Sequence, residues 1–337
     1  VASEVHQFNS LSEERRRIVH AALAAAFGST KVAEVEQLAG GISASAFRVR
    51  VGDRNYLLRV EGAESPLRNP HQYASMRIAA AAGIAPEIHH LDEARRVVVM
   101  EFVETLPLRN FPGGTVALAD ALGGLLARLE ATPVFPSFVA YPDIVARLFA
   151  HVRRTGLFTP ALLDPHVERL EQVSADYVAE STQLVSSHND CHQGNILFDG
   201  ERLWLIDWES AYRNDPLVDV AVVLDSLSLP SEAEDALLRA RLNRAPDASV
   251  RARLKTVRAL TRLYFAGVFL SASAAAARTA PDNNLVAPDA DGYLRAIEEG
   301  RVAPGTPGAM HVLGKIFLAS FLSGARVPSF GGDYLAS

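Results

Sequence analysis

The chain has 337 residues, enough for two lobes that each bury a core at roughly 100–200 residues per domain. Apolar residues make up 49% and charged residues 21%, with 22 Gly and 18 Pro, which excludes collagen, low-complexity disorder and a long coiled coil. The 33 Lys and Arg against 39 Asp and Glu leave a net charge of −6, so there is no basic excess to follow a phosphate backbone or an anionic membrane, and neither nucleic acid nor membrane is an expected partner.

The first element is helical. Ser10 and Glu13 have capping-box spacing, and Ile18, Val19, Ala22, Leu23 and Ala26 form one face that Gly28 can end. Residues 32–38, 45–51 and 55–60 are short runs rich in β-branched or aromatic residues, separated by Gly40-Gly41 and Gly52-Asp53, and predict an antiparallel meander. Tyr73, Met76, Arg77 and Ala80 predict a helix up to Gly83, after which 87–91 and 96–100 read as two more strands. Beyond Val103 the pattern turns helical, over 115–131, 143–155, 165–183, 216–227, 231–241, 250–277 and 309–322. The Pro-dense stretches 132–142 and 279–307 read as ordered detours. The longest uncharged apolar stretch, 263–277, is shorter than the roughly 20 residues of a membrane span and reads as a buried helix. The expected fold class is α+β, with an antiparallel sheet and helix over 1–103 and a mostly helical lobe over 104–337. A single cysteine, Cys191, excludes an intrachain disulfide and fits a reducing, cytoplasmic location.

One segment interrupts the helical half. Between residues 184 and 207, Asp190 and Asn195 lie five apart, and a hairpin over 196–198 and 204–206, turning at Asp199-Gly200, returns Asp207 beside them. Two carboxylates and an amide thus converge. Phosphoryl transfer from a nucleotide needs such a set: one carboxylate to orient the attacking hydroxyl and take its proton, an amide and a second carboxylate to hold Mg²⁺ on the phosphates. The work is mostly positioning and charge neutralisation, so few residues suffice. His188, Asp190 and His192 also alternate through residue types that bind transition metals, which makes a metal-dependent hydrolase the alternative reading. That alternative gives Asn195, Asp207 and the first lobe no role.

His188-Asn189-Asp190, Asn195 and Ile206-Asp207-Trp208-Glu209 resemble motifs of the aminoglycoside phosphotransferase and choline kinase superfamily. The resemblance covers most of the chain. Leu38-Ala39-Gly40-Gly41-Ile42-Ser43 resembles that family's nucleotide-binding loop, Tyr56-Leu57-Leu58-Arg59-Val60 its strand with the phosphate-contacting base, and Val99-Met100-Glu101-Phe102-Val103 its adenine-binding hinge. It implies a two-lobed protein-kinase-like fold with ATP and Mg²⁺ in the cleft. Position by position, it implies Asp190 as catalytic base, Asn195 and Asp207 as metal ligands, His188 as a brace and Asp219 as a buttress of the loop. Arg59, Gly41, Ser43 and Ser45 would face the phosphates, and the backbone of Glu101 and Val103 the adenine. Two departures stand out. Arg59 replaces the usual Lys, as in choline and ethanolamine kinases, and Gln72 stands where a helix Glu usually pairs with that base, leaving Glu61 or Glu64 to substitute. A catalytically weak nucleotide-binding protein is the corresponding alternative.

For the acceptor, Asn189 before the catalytic Asp, Glu209 and Arg59 resemble the choline and ethanolamine branch, with an aminoglycoside, a sugar or thiamine as alternatives of the same fold. An ammonium group calls for aromatic faces and carboxylates, and Trp208, Glu209, Tyr212 and Tyr264 are the candidates.

Overall fold

The computed structural model describes residues 8–38, 44–62, 69–179, 183–276 and 280–331. Helix α1 (Glu13–Phe27) starts two residues later than its capping-box spacing predicts. The cap is Ser12, whose hydroxyl accepts from Arg15 N while Glu13 and Glu14 occupy the first turn, where the helix N-terminus favours carboxylates. Gly28, at φ 69°, ends the helix.

Five strands follow, with one helix inserted: β1 (Glu34–Gln37), β2 (Ala44–Val51), β3 (Arg54–Glu61), α2 (Gln72–Ala81), β4 (Ile88–Asp92) and β5 (Val97–Glu101). All pairings are antiparallel, in the order β1-β2-β3-β5-β4. The period of two sorts their side chains. Phe47, Val49, Leu58, Val60, Val97 and Val99 pack with Val19, Ala22 and Leu23 of α1, while Ala46, Leu57, Arg59 and Met100 turn to the opposite face. Because both faces of the sheet are covered, β5 is a continuous apolar run instead of an alternating one.

The second lobe is α3 (Gly114–Glu130), α4 (Tyr141–Arg154), α5 (Asp164–Ala179), β6 (Val185–Ser187), β7 (Ile196–Phe198), β8 (Leu203–Leu205), β9 (Tyr212–Asn214), α6 (Leu217–Ser226), α7 (Ser231–Leu242), α8 (Ala248–Ala274), α9 (Ala290–Glu298) and α10 (Pro307–Ser323). Helix α9 falls in a stretch expected to be a detour: Asp289 caps it by accepting from Gly292 N, and Ala290, Tyr293 and Ala296 bury one face. The β6–β9 ladder also escaped the sequence reading, since its strands have three residues each and lie 29 positions apart in register at Val185 and Asn214. Helix α8 runs through the centre of the lobe, and α3 lies against α7 so closely that a Cβ on Gly123 would fall 2.3 Å from the Leu237 carbonyl oxygen. Glu130, at the end of α3, forks onto Arg241 of α7 at 2.6 and 3.1 Å and ties those two helices together. Among the described residues no helix is long and apolar enough to cross a membrane.

Candidate active site

Strand β6 ends at Ser187, and the chain turns through His188–Asp190 under the control of one carboxylate. Asp219, near the start of α6, accepts from Ser187 Oγ at 2.9 Å, His188 N at 2.8 Å and Asn189 N at 2.7 Å. Asn189 takes a left-handed φ of 64°, which Asn tolerates better than most residues. Its side chain holds that turn by donating to the Ser210 and Tyr212 carbonyls and accepting from Asn214 Nδ2. His188, fully buried, donates from Nε2 to the Ile206 carbonyl at 2.8 Å and packs its ring on Trp208. The loop and the segment after β8 that carries Asp207 are thereby locked to each other.

Asn195 Nδ2 donates to the Asp190 carbonyl at 2.9 Å and lies 3.3 Å from Asp190 Oδ2. Burial, with a contribution from Asp207, pushes the Asp190 carboxyl up to about 7. His192 is held neutral, its pKa brought down to about 4 by burial, and its Nδ1 accepts from Gly194 N, so its ring proton belongs on Nε2, 3.7 Å from Asp190 Oδ2. Asp207 has φ 63°, a strained conformation for this residue type, and accepts from Arg59 Nη1 at 2.8 Å. Arg59 also reaches Glu209 at 3.4 Å. Burial disfavours the charge of both Asp207 and Arg59, yet each sustains the other: Asp207 is drawn below the ordinary carboxylate range and Arg59 is raised.

Above this cluster opens a cleft of about 360 Å³ between the sheet and the β7–β8 hairpin. Its walls are largely apolar, from Leu38, Ala46, Leu57, Met76, Met100 and Leu197, and its polar end is Arg59 and Asp207. That is the shape of a site for a flat apolar ring with a charged tail. Glu101 and Val103 border it, and the Glu101 N–H is already given to the Glu87 carbonyl.

On the other side of Asp190 lies a tyrosine group. Tyr264, half-buried on α8, hydrogen-bonds Ser210 and feels the charges of Asp190 and Glu209, while its ring lies 6.2 Å from that of Tyr141. The Tyr141 and Tyr212 hydroxyls are buried and have no hydrogen-bond partner among the described residues. Buried polar groups are nearly always satisfied, so such orphans mark where a ligand or water belongs. Tyr141 carries no motif and was not expected; no local pattern in the chain marks it.

Asp190, His188, Asn195, Asp207, Arg59, Glu209 and Tyr264 are thus brought together, with Tyr212 beside them. Other expectations fare differently. Gly41, Ser43 and Glu64 lie outside the described residues. Ser45 is corrected: Ala44 and Ala46 line the cleft, so the residue between them turns its side chain to the α1 face with Phe47 and Val49. Trp208 is also corrected as an aromatic face for the acceptor, because its ring is 1% exposed, packed on His188 and Phe135, with Nε1 donating to Leu205 O. Gln72 does not approach Arg59 as its partner but donates to Glu61 at 2.8 Å, and both are buried. A hydrolase metal site on His188, Asp190 and His192 lacks a ligand set: among the described residues no three His, Cys, Asp or Glu side chains gather around a common point, and His188 Nε2 is committed to a carbonyl.

Comparisons with known proteins agree with this geometry. The model of the phosphotransferase enzyme family matches residues 34–256. Protein LicA of Haemophilus influenzae is 26% identical over 207 residues, covering 57% of this chain and 76% of that one. Among solved structures, a choline/ethanolamine kinase family protein from Mesorhizobium loti superposes with a TM-score of 0.67 at 21% identity, over 91% of this chain and 95% of that one. The choline kinase LicA from Streptococcus pneumoniae gives 0.61 at 17%, over 91% and 100%. LicA in complex with AMP gives 0.63 at 15%, over 92% and 100%.

Proposed function

The chain belongs to the phosphotransferase enzyme family, and on that premise we propose that it is a kinase transferring the γ-phosphate of ATP, with Mg²⁺, to the hydroxyl of a small amino alcohol of the choline or ethanolamine type. The observation that carries this reading is the position of Asp190, with a nucleotide-shaped cleft on one side and Tyr264 and Glu209 on the other. The AMP-bound relative supports a nucleotide in the cleft, where the Glu101 carbonyl and the Val103 N–H would meet adenine.

The donor set fits Mg²⁺. Asn195 spends its amide nitrogen on Asp190, which leaves its oxygen for a metal, and Asp207 is kept ionised, so both offer the hard oxygen ligands this ion takes. When bound, the ion supplies charge neutralisation on the phosphates. Asp190 accepts the proton of the acceptor hydroxyl, its raised pKa matching proton transfer near neutrality. Arg59 offers a two-pronged contact to phosphate oxygens. Asp219, Asn189 and His188 hold the loop so that Asp190 needs no reorganisation. Glu209 supplies negative charge and Tyr264 and Tyr141 supply ring faces for an ammonium group, and the orphan hydroxyls of Tyr141 and Tyr212 supply polar contacts.

We divide the chain into a nucleotide lobe, 1–103, and a catalytic lobe, 104–337, and place it in the cytoplasm, which a lone buried thiol at Cys191 and a need for ATP support. The net charge of −6 argues for a small-molecule acceptor over nucleic acid or a membrane surface as partner. The test is ADP release from Mg·ATP against choline, ethanolamine, thiamine, sugars and aminoglycosides, with Asp190→Ala as control. Acceptor-dependent turnover with choline or ethanolamine, lost in the variant, is the expected result. Turnover with another acceptor overturns the substrate class, and turnover that survives in the variant overturns the role of Asp190.

A further inference from the structure

A second cavity, of about 320 Å³, lies away from the cleft among α5, α7, α8 and the end of α10. Five cations line it: Arg169 on α5, and Arg251, Lys255, Arg258 and Arg262 on α8. The four on α8 are spaced by four, three and four residues, so the helical period puts them in one stripe. Three acids answer part of this charge. Asp225 takes Arg258 at 2.7 Å and Arg262 at 2.7 Å, Glu234 takes Arg258 at 3.2 Å, and Asp235 takes Arg251 at 2.8 Å. Five cations against three acids leave a surplus of two positive charges.

The surplus has an address. Lys255 is exposed and makes no ion pair among the described residues, and Arg169 hydrogen-bonds only the neutral Gln172, at 3.3 Å. The usual fate of such charges is a solvated convex face; here they border a concavity, on a chain whose net charge is negative. Asp225 is buried and fixes the guanidinium groups of Arg258 and Arg262, so part of the wall is already organised before any ligand arrives. The carbonyls at the end of α10, which would repel an anion, are partly answered within their own turn, where Gly324 N and Ser323 Oγ donate to Ser320 O and Ala319 O.

We propose that this cavity binds a small phosphate dianion, either inorganic phosphate or a phosphate monoester, through Arg169 and Lys255 with Arg251 and Arg258 beside them. Arg169 offers a guanidinium fork and Lys255 a point charge, both of which form charge-assisted contacts with phosphate oxygens. The site is separate from the cleft. Asp225 lies six residues along α6 from Asp219, about 9 Å at the helical rise, and toward the end away from the catalytic loop.

The experiment is titration calorimetry of the full chain with inorganic phosphate and, separately, glycerol 3-phosphate, at constant ionic strength, against sodium chloride. The wild type is expected to bind at least one of the two saturably, with a Kd of about 1 mM or tighter. Binding is expected to weaken at least tenfold in Lys255→Glu, at an exposed position, and in Arg169→Gln, at a half-buried one, and to stay unchanged in Arg59→Ala, which removes the cation of the cleft. Heat from glycerol 3-phosphate alone assigns the site to the ester, and heat from inorganic phosphate assigns it to the free ion. Absence of saturable binding by both, binding that persists in Lys255→Glu, or binding lost in Arg59→Ala would overturn the proposal.

Discussion

Arg59 and Asp207, 148 positions apart, meet at 2.8 Å and join the two lobes across the cleft. Their pairing explains why Gln72 is tolerated in α2. The countercharge for Arg59 comes from the second lobe, from Asp207 and Glu209, with Glu61 adding to it from β3. Gln72 is left to anchor α2 to Glu61.

Arg59→Lys replaces a fork with a point charge, so one of the two carboxylate contacts goes unmet. We predict a rise in KM for ATP of about tenfold, with a smaller fall in kcat, because one charged contact of this kind is worth on the order of 1–2 kcal/mol. Steady-state kinetics on both variant and wild type measure it; an unchanged KM would mean that the guanidinium does not touch the nucleotide.

The pH dependence follows from Asp190. Its carboxyl is raised to about 7 and works as a base only when ionised, so kcat/KM is predicted to climb through neutrality and level off above it. The stability effect has the opposite sense. A carboxyl whose folded pKa is raised contributes stability that is complete below the unfolded value and lost as pH rises through the folded one. Asp190→Asn is therefore expected to stabilise the fold by about 2 kcal/mol more at pH 8 than at pH 5, once the 22% exposure of the side chain is allowed for, and so to raise Tm more at pH 8. Equal gains at both values would show that the carboxyl titrates near its ordinary range.

Restoring an acid at position 72 is predicted to harm the protein. Gln72→Glu sets a second carboxylate against Glu61 in a buried site, at a cost of about 1–3 kcal/mol, and adding Glu61→Gln should recover most of it. Thermal melts of the two single variants and the double variant form the cycle. A stabilised Gln72→Glu would place its side chain on Arg59 instead.

Gly331→Ala is predicted to lower kcat. A Cβ there would fall 2.7 Å from His192 Nδ1 and 2.9 Å from Gly194 N, at a φ of 102° that disfavours any side chain, so the loop carrying Asn195 must shift. The readout is kcat at saturating substrate together with the Mg²⁺ concentration for half-maximal rate, which should rise because Asn195, whose N–H donates to the His192 carbonyl, moves with His192. A variant that melts lower but keeps both kinetic values would assign Gly331 to stability alone.

Much of this site was legible because it is local. Asp190, Asn195 and Asp207 lie within 18 residues, and a hairpin with a clear turn brings them together, so spacing alone located them. The strands of the first lobe announced themselves by their period. Ser45 was misread because which face a strand residue takes depends on register with β3, and a shift of one position exchanges the faces. Trp208 was misread because an aromatic beside a catalytic motif serves packing as readily as binding. Tyr141 and Gly331 were invisible for another reason: each reaches the site through tertiary packing, 49 residues before Asp190 in one case and 141 after it in the other, and no short-range pattern records such contacts.

The placement of Gly331 and Phe330 has a consequence for biogenesis. Phe330 N donates to the Ser226 carbonyl, its ring packs on Phe265, Phe269 and Phe317, and Gly331 closes on Gln193 and Gly194. A nascent chain emerging from the ribosome therefore has Asp190 in hand long before the backing of the loop that holds it. The loop is completed late, only after residue 331 has cleared the exit tunnel, well after the Asp190 segment itself has emerged.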